Sequence, residues 1–426
     1  MRTQRLGVPK TLGLVIAVFL PLCSHLQGQD APKIQLAEAD QTAWDILPQM
    51  LNITYAGGPE VPSCGRSLQT SNGGIIHDTL ISVAGFGIPT TCPESEKKFI
   101  KKVYGLKLRG SSSGWKELPD LPGSRRQAHA AIPVGNRLYL WGGFSYFDPY
   151  TYRDGYRLSK ERGEWIWESM PDLPWATGGA GICAIDEKIY IFGGMDYNRE
   201  KMYTNADRNG KIPRLGARLL VFDTRNPNAG WKNLTICPGT ARWYPAVSAA
   251  GGKVYVLGGL SGGDNAAGQY CTVVDNWSYD PARSQWERLP DLPIASGNYP
   301  SGQITYDDRF ILLVGGYQYA SILNPDGSVR PSYGRPYKHY KKKGYYADVM
   351  VYDTKTRLFG RGDPLPLNNN MPSTVVEGNR FHMFGSETEE AIVEGKHYEH
   401  RPNLYLIGTI APIDEQDWRD QIRFLK

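Results

Sequence analysis

The sequence has 426 residues, is rich in Gly (48) and Pro (30), and is 12% aromatic. This composition favours many short strands joined by tight turns, and a charged content of 21% is too low for a disordered chain. The formal net charge is +5 and falls to +2 without Arg2, Arg5 and Lys10. A nearly neutral chain gives no electrostatic reason to expect nucleic-acid binding.

The N-terminal residues 1–28 are predicted to be a signal peptide. The three basic residues Arg2, Arg5 and Lys10 precede an apolar stretch, residues 11–22, that is too short to span a bilayer. We therefore expect residues 29–426 to be periplasmic or secreted, without membrane insertion. Five cysteines follow the signal peptide, and Cys64 and Cys92 are the local candidates for a disulfide in an oxidising compartment.

Two short motifs recur along the rest of the chain and predict an all-β fold. The first is an apolar run that ends in Gly-Gly, as in LYLWGGF (138–144), IYIFGGM (189–195), VYVLGGL (254–260) and ILLVGGY (311–317). The second is Trp-x-x-Leu-Pro or a close variant, as in WKELPDLP (115–122), WESMPDLP (167–174) and WERLPDLP (286–293). Between them lies a run that ends in Asp, such as LLVFD (219–223) or NWSYD (276–280). Each unit therefore predicts four strands.

This order of motifs resembles the kelch repeat, whose four-stranded blades pack around an axis as a β-propeller. Gly-Gly-type strand ends predict six blades, with approximate bounds 64–122, 123–174, 175–239, 240–293, 294–366 and 367–410. The last unit has no Trp-x-x-Leu-Pro of its own, whereas an isolated copy, WDILP (44–48), lies near the N-terminus. We expect a strand within residues 40–50 to complete the last blade.

In such a meander, the turns that precede the first strand and those that follow the second strand open on one face. Residues of these turns are therefore the default ligand candidates. Arginines suit a carboxylate, and tyrosines and asparagines suit the faces and hydroxyls of a sugar. The predicted substrate-binding residues are Arg66, Arg125, Arg126, Arg242, Tyr244, Asn298, Tyr299, Tyr317 and Asn370. The alternative for each arginine is a role in packing the turn and the blade.

The loop formed by residues 317–346 combines seven tyrosines with six Lys or Arg residues and one acid, Asp326. Tyrosine interleaved with positive charge suits an acidic mono- or oligosaccharide, and it also suits a protein partner or a homodimer interface. A solvated basic loop is the third interpretation. The polar loop of residues 195–215 can share the same role.

Several kinds of chemistry have no support in the sequence. There is no Gly-x-Ser-x-Gly, no phosphate-binding loop and no dinucleotide fingerprint. His397 and His400 are three apart, so in an extended segment they point to opposite faces and do not share a metal ion. We therefore predict no metal and no cofactor.

Two local segments resemble the exported bacterial kelch proteins of the N-acetylneuraminate epimerase type. In SRRQAH (124–129), Arg125 and Gln127 match that family's Pro-Arg-Asp-Gln-Ala, with Arg126 in place of the Asp; in FGSETEE (384–390), Glu387 matches its Gly-Gly-Glu-Thr. The resemblance implies a sialic-acid mutarotase, an isomerase that uses carboxylate acid/base chemistry. We predict Glu387 and Asp196 as the acid/base residues, with arginines anchoring an acidic sugar. The alternatives are a non-catalytic propeller that binds a glycan or a protein, and a polysaccharide lyase.

Overall fold

The computed structural model describes residues 44–62, 67–88, 99–110, 114–299, 304–331, 344–388, 391–393, 396–398 and 404–424. The predicted signal peptide and both Cys64 and Cys92 lie outside these ranges. Strands dominate the described residues, which confirms the all-β prediction. A C-terminal helix, α1 (Glu415–Phe424), and two 3-10 turns (Leu215–Ala217 and Pro227–Ala229) complete the regular structure. Among the residues described, no helix is both long and apolar enough to cross a bilayer.

The described residues form six large sheets, numbered 1 to 6 along the chain. Strand β1 (Leu51–Gly57) comes first in the chain but belongs to sheet 6. Sheet 1 holds β2 (Ser67–Gln69), β3 (Asn72–Ile76), β4 (Thr79–Ile88), β5 (Phe99–Lys107) and β6 (Lys116–Leu118). Sheet 2 holds β7 (Ala130–Val134), β8 (Arg137–Trp141), β9 (Gly155–Glu161) and β10 (Glu164–Met170). Sheet 3 holds β11 (Gly181–Ile185), β12 (Lys188–Phe192), β15 (Arg218–Asp223) and β16 (Trp231–Ile236).

The remaining large sheets repeat this antiparallel order. Sheet 4 holds β17 (Ala246–Ala250), β18 (Lys253–Leu257), β21 (Asn276–Asp280) and β22 (Gln285–Leu289). Sheet 5 holds β23 (Thr305–Tyr306), β24 (Phe310–Val314), β29 (Val349–Asp353) and β30 (Leu358–Arg361). Sheet 6 holds β32 (Ser373–Glu377), β33 (Arg380–Phe384), β37 (Leu406–Pro412) and β1.

Short strands form small additional sheets; all of them lie in loops between the second and third strands except β31, which precedes the first strand of sheet 6. They are β13 (Asp196–Tyr197) with β14 (Met202–Tyr203), β25 (Tyr317–Gln318) with β28 (Gly344–Tyr345), β31 (Asn369–Asn370) with β34 (Glu387–Thr388), and β35 (Ala391–Val393) with β36 (Lys396–Tyr398). A four-stranded one joins β19 (Leu260–Ser261), β20 (Cys271–Val273), β26 (Ser321–Leu323) and β27 (Val329–Pro331). These strands link the loops of sheets 4 and 5.

The paired glycines have the structural role that the motif predicts. Gly143 follows β8 with φ at 98°, and a Cβ atom there would lie 2.7 Å from the carbonyl oxygen of Gln127. Both the left-handed backbone and the close approach require glycine. The second strand of the sheet can therefore end directly against the turn that precedes the first strand.

The N-terminal strand β1 begins at Leu51, three residues after the end of the WDILP segment (44–48) that was predicted to form it. Strand β1 pairs antiparallel with β37, from Leu51 opposite Pro412 to Gly57 opposite Leu406. Leu51 and Ile53 are buried in β1, whereas Asn52 and Thr54 are exposed. WDILP instead supplies Trp44 and Leu47 to the apolar cluster between sheets 4 and 5. The two-residue alternation in β1, not the Trp motif, identifies the strand.

Apolar clusters between neighbouring sheets form the core. The outer-strand tryptophans contribute as predicted: Trp286 contacts the cluster of sheets 3 and 4, and Trp231 that of sheets 2 and 3. In sheet 5, Phe359 faces Tyr352, as Trp286 faces Tyr279 in sheet 4. Phe359 thus replaces the tryptophan. Sheets 1 and 6 share a cluster as well, in which Leu68 and Leu80 pack with Val375 and Phe384.

Candidate functional site

One residue pair recurs at the same end of all six large sheets. A residue shortly before the first strand pairs antiparallel with the residue that directly follows the Gly-Gly-type end of the second strand. The pairs are Gln69 with Phe86, Gln127 with Phe144, Gly178 with Met195, Trp243 with Leu260, Gly297 with Tyr317, and Asn370 with Glu387. This register defines two sets of six equivalent positions. Glu387 occupies the position that holds Phe, Met, Leu or Tyr in the other five sheets.

The residue after the first member of each pair has left-handed backbone. These residues are Thr70 (φ 49°), Ala128 (54°), Gly179 (63°), Tyr244 (47°), Asn298 (71°) and Met371 (54°). Backbone hydrogen bonds connect several of them: Gly179 N donates to Ala128 O at 2.8 Å, and Tyr244 N donates to Gly179 O at 2.6 Å. Non-glycine residues in this conformation cost about 1–3 kcal/mol each and concentrate at functional sites. The sheets are therefore joined to one another at this end by a constrained ring of turns.

An axial cavity of about 380 Å³ lies at this ring. Its described lining comes from the turns and loops of all six sheets: Gln69, Phe86, Gln127, Phe144, Tyr146, Met202, Trp243, Tyr244, Leu260, Asn298, Tyr317, Tyr319, Tyr345, Asn370 and Met371. The volume lies in the range of small-molecule sites. Aromatic rings and carboxamides dominate this lining, a combination that suits the faces and polar groups of one sugar unit.

Three buried polar groups in the cavity wall have no hydrogen-bond partner within the described residues: Gln69 Nε2, Trp243 Nε1 and Asn298 Oδ1. The rest of the Asn298 amide is fixed, since its Nδ2 donates to Asn370 Oδ1 at 2.7 Å. The Gln127 amide is oriented in the same way, because Thr70 Oγ1 donates to Gln127 Oε1 at 2.7 Å. Buried polar groups are rarely left unsatisfied in proteins, so two donors and one acceptor are available here for a ligand.

Two tyrosines of the cavity, Tyr244 and Tyr319, are neutral hydrogen-bonding groups. Burial raises the pKa of Tyr244 well above its ordinary value. Burial, followed by the neighbouring Tyr317 and Tyr270, likewise raises the pKa of Tyr319. Behind the wall, burial and the charge of Arg126 lower the pKa of His129 to about 3, so that its imidazole is uncharged at neutral pH. The described part of the cavity is therefore uncharged.

The structure corrects the prediction that Arg126 and Arg242 hold a ligand. Both side chains are completely buried. Arg126 forms a two-pronged ion pair with Asp154, with both N–O distances at 2.6 Å. Arg242 Nη2 lies 2.6 Å from Asp275 Oδ2, and its Nε and Nη1 donate to backbone carbonyls. With their donors used inside the protein, both arginines pack the turn and the sheet.

Asp196 is also bound internally, which corrects its prediction as an acid/base residue. Its side chain is buried, and its two oxygens accept hydrogen bonds from Arg208, Nη2 to Oδ1 at 2.7 Å and Nε to Oδ2 at 2.9 Å. It lines a second cavity of about 510 Å³ between the loops of sheets 2 and 3, together with Trp175 and Asp207. The described lining of the axial cavity does not include Asp196.

The other predicted binding residues lie in three different environments. Tyr244, Asn298, Tyr317 and Asn370 line the axial cavity, as their turn positions predict, and their role in binding stays a prediction. Tyr299 is in the core instead, where its hydroxyl donates to Ser296 Oγ at 2.6 Å. Arg125 is half-buried on the turn before β7. Arg66 lies outside the described residues, as do residues 332–343 of the basic loop.

Sequence reasoning missed several wall residues, among them Gln69, Phe86 and Met202. Gln69 and Phe86 belong to sheet 1, in which AGFG (84–87) is a divergent Gly-Gly end. In sheets 2 to 5 the Gly-Gly pair is intact, and counting residues from it gives the equivalent wall positions. The spacing from this pair was therefore the signal that could have located Gln69 and Phe86. Met202 comes from the loop between β12 and β15, for which the repeat gives no position.

Comparisons with known proteins found a kelch-repeat family, several N-acetylneuraminate epimerases and a similar solved structure. The KLHDC2/KLHL20/DRC7 Kelch-repeats domain family matches residues 128–385. An N-acetylneuraminate epimerase of Pasteurella multocida (strain Pm70) is 24% identical over 357 residues, which are 78% of this chain and 89% of that protein. One of Haemophilus influenzae (strain 86-028NP) is 24% identical over 68% of this chain and 80% of its own. A solved structure of YjhT superposes with a TM-score of 0.56 at 16% identity, covering 84% of this chain and 99% of YjhT.

Proposed function

This chain belongs to the kelch-repeat family, and we propose that its axial cavity binds an acidic sugar of single-unit size and interconverts the sugar's anomers. The cavity supplies aromatic walls and oriented carboxamides in a volume that fits such a ligand. Relatives named N-acetylneuraminate epimerase align with most of the chain and direct the choice to a sialic-acid-like sugar.

The position of Glu387 is the single observation that carries the proposal. Its backbone pairs with Asn370, whose side chain lines the cavity. The residues at the equivalent positions in four other sheets, Phe86, Phe144, Leu260 and Tyr317, also line it. We therefore assign to Glu387 the acid/base role at this ring of positions. Arg125 and Arg66 remain the proposed cationic partners of the sugar carboxylate.

The proposed reaction needs no cofactor. The carboxylate of Glu387 removes the proton of the anomeric hydroxyl, the bond between the anomeric carbon and the ring oxygen breaks, and the ring oxygen takes up the proton. The open form has a carbonyl at the anomeric carbon. Attack of the same oxygen on the other carbonyl face, with the proton returned, gives the second anomer. The aromatic and amide wall holds the sugar through these steps.

A specific feature of the wall favours a second candidate function, sugar binding without chemistry. Among the described lining residues of the axial cavity there is no Asp, Glu, His or Cys. Aromatic rings with neutral amides are sufficient for binding alone. The two candidates differ in one property, the acceleration of anomer exchange.

Anomer exchange measured by NMR distinguishes them. With N-acetylneuraminate as the probe, we expect the wild-type protein to accelerate exchange and Glu387→Gln to lower that rate by about 10²-fold or more, with little change in affinity. Glu187→Gln, an exposed residue in the turn between β11 and β12, is the matched control. Binding without acceleration by the wild-type protein would establish the second candidate, and exchange at the wild-type rate in Glu387→Gln would remove Glu387 from the mechanism.

A further inference from the structure

Two residues on neighbouring sheets contribute one unused donor and one unused acceptor to the wall of the axial cavity. Trp243 and Asn298 are 5% and 6% exposed, and both line the axial cavity. The indole Nε1 of Trp243 and the carbonyl oxygen Oδ1 of Asn298 have no hydrogen-bond partner within the described part of the chain. An unsatisfied buried polar group costs about 1–3 kcal/mol, so two of them in one wall call for a ligand that satisfies both.

Backbone hydrogen bonds connect the turns that carry these two residues. Tyr299 N donates to Tyr244 O at 3.1 Å, a bond between the residues that directly follow Asn298 and Trp243. Trp243 is held further by its two backbone bonds to Leu260, at 2.8 and 2.9 Å. The Asn298 side chain is fixed through its Nδ2, which donates to Asn370 Oδ1 and turns Oδ1 away from that partner. The two turns and the Asn298 amide are therefore held in place by bonds within the protein.

We propose that Trp243 and Asn298 recognise a secondary amide on the ligand, an N-acyl substituent of the sugar. The carbonyl oxygen of the amide accepts from Trp243 Nε1, and its N–H donates to Asn298 Oδ1. Apolar wall residues, Leu260 and Met371, are available for the acyl methyl group. The inference rests on the proposed function in that it takes the axial cavity as a sugar site.

Other common sugar substituents match this pair of groups and the apolar wall beside it less completely. An ammonium group has donors alone, so the indole N–H would be left without an acceptor. A carboxylate has acceptors alone and faces the carbonyl oxygen of Asn298 unfavourably. A hydroxyl can donate and accept through its single oxygen but leaves the apolar wall unfilled. The amide places its donor and its acceptor on different atoms, as the wall does.

The test compares the binding of two acidic sugars by calorimetry. One is N-acetylneuraminate, and the other is its deaminated analogue, which has a hydroxyl in place of the acetamido group. We expect the wild-type protein to bind the acetamido sugar at least about tenfold more tightly. Trp243→Phe keeps an aromatic wall but removes the donor, and should reduce this preference to about threefold or less.

A second variant protects the test against misfolding of the first. Asn298→Gly removes the acceptor and suits the left-handed backbone at this position, where φ is 71°. It too should lose the preference. Trp165→Phe, on the outer strand β10 and away from the described cavity lining, is the matched control and should retain it.

The outcomes separate this inference from the proposed function. Equal affinity of the wild-type protein for the two sugars, or an unchanged preference in both cavity variants, overturns the amide assignment alone. Binding of neither sugar overturns the proposed sugar site and the amide assignment with it. A preference that is lost in the variants supports it, even if the wild-type protein does not accelerate anomer exchange. Glu387→Gln should keep the preference, because the carboxylate acts at the anomeric carbon rather than at the amide.

Discussion

Arg126 and Arg242 make the same contacts in sheets 2 and 4. In each case Nε donates at 2.8 Å to the carbonyl oxygen two residues earlier, and Nη1 donates to the first glycine of the Gly-Gly pair. Each guanidinium also pairs with the Asp that precedes the third strand, Asp154 or Asp275. Burial alone would raise the pKa of Asp275, but Arg242 and the hydrogen bonds from Trp277 and Thr240 hold it below its usual value. Each arginine side chain therefore connects the turn before the first strand, the Gly-Gly end of the second strand and the residue before the third strand.

This arrangement predicts a large stability cost for Arg242→Met. The substitution leaves the carboxylate of Asp275 buried without its cation, so the free energy of unfolding should fall by about 3–5 kcal/mol in urea denaturation. The control is Arg283→Met, since Arg283 is 75% exposed and its partner Asp280 lies 3.9 Å away. That variant should change stability by less than about 1 kcal/mol. Unchanged stability with weakened sugar binding in Arg242→Met would instead restore a ligand role for this arginine.

Residue type and turn position were sufficient to predict Tyr244, Asn298, Tyr317 and Asn370 as residues of the mouth, the face on which the turns of all six sheets and the axial cavity open. They were not sufficient for the arginines, because a repeat-wide structural role and a binding role both place an arginine before the first strand. The residue that pairs with the guanidinium distinguishes the two roles. For Arg126 that residue is Asp154, which lies 28 residues further along the sequence. Tyr299 shows the same limit, because it is one residue beyond Asn298 and points into the core.

The repeat motifs predict where the strands lie, but they do not predict how the strands are connected and paired. The Gly-Gly runs coincide with β8, β12, β18 and β24, and the Asp-ended runs with β15, β21 and β29. The N-terminal strand was misplaced because WDILP matches the outer-strand motif, whereas the pairing with β37 is decided by the buried Leu51 and Ile53. A local motif cannot report a pairing between residues more than 300 positions apart.

Asp264 links two of the loops that the repeat does not describe. Its carboxylate accepts from the backbone N–H groups of Thr204, Asn205 and Ala206 at 2.7–3.2 Å, and from Thr204 Oγ1 at 3.1 Å. These residues directly follow β14, which carries the cavity-lining Met202. The loop of sheet 4 therefore holds the wall segment that the loop of sheet 3 contributes.

Asp264→Asn tests this link. The NH2 group that replaces one carboxylate oxygen is a donor and cannot accept from these N–H groups, so amide hydrogen exchange at residues 204–206 should accelerate and sugar affinity should fall about threefold to tenfold. Asp280→Asn is the control, because Asp280 accepts backbone N–H groups in a turn between β21 and β22. Protection at 204–206 equal to that of the wild-type protein would show that the carboxylate does not hold the loop.

In the described part of the molecule, six sheets share apolar clusters with their neighbours and a seventh cluster lies at the mouth. The mouth cluster contains Phe144, Met195, Trp243, Tyr244 and Leu260, and is contacted by Tyr317 and Met371. The sequence predicts such a mouth, since turns of every unit open on it. It does not predict that Arg126 and Arg242 are absent from the described wall, because their ion-pair partners Asp154 and Asp275 lie far from them in the sequence.

The central claim is that this cavity is the sugar site, and a crystal structure of the wild-type protein soaked with N-acetylneuraminate tests it most directly. The account predicts one sugar in the axial cavity, with its acetamido oxygen about 3 Å from Trp243 Nε1, its acetamido nitrogen about 3 Å from Asn298 Oδ1 and its anomeric carbon next to residue 387. Sugar bound only in the second cavity beside Trp175 and Asp207, or an axial cavity that stays free of sugar at saturating concentration, would contradict it.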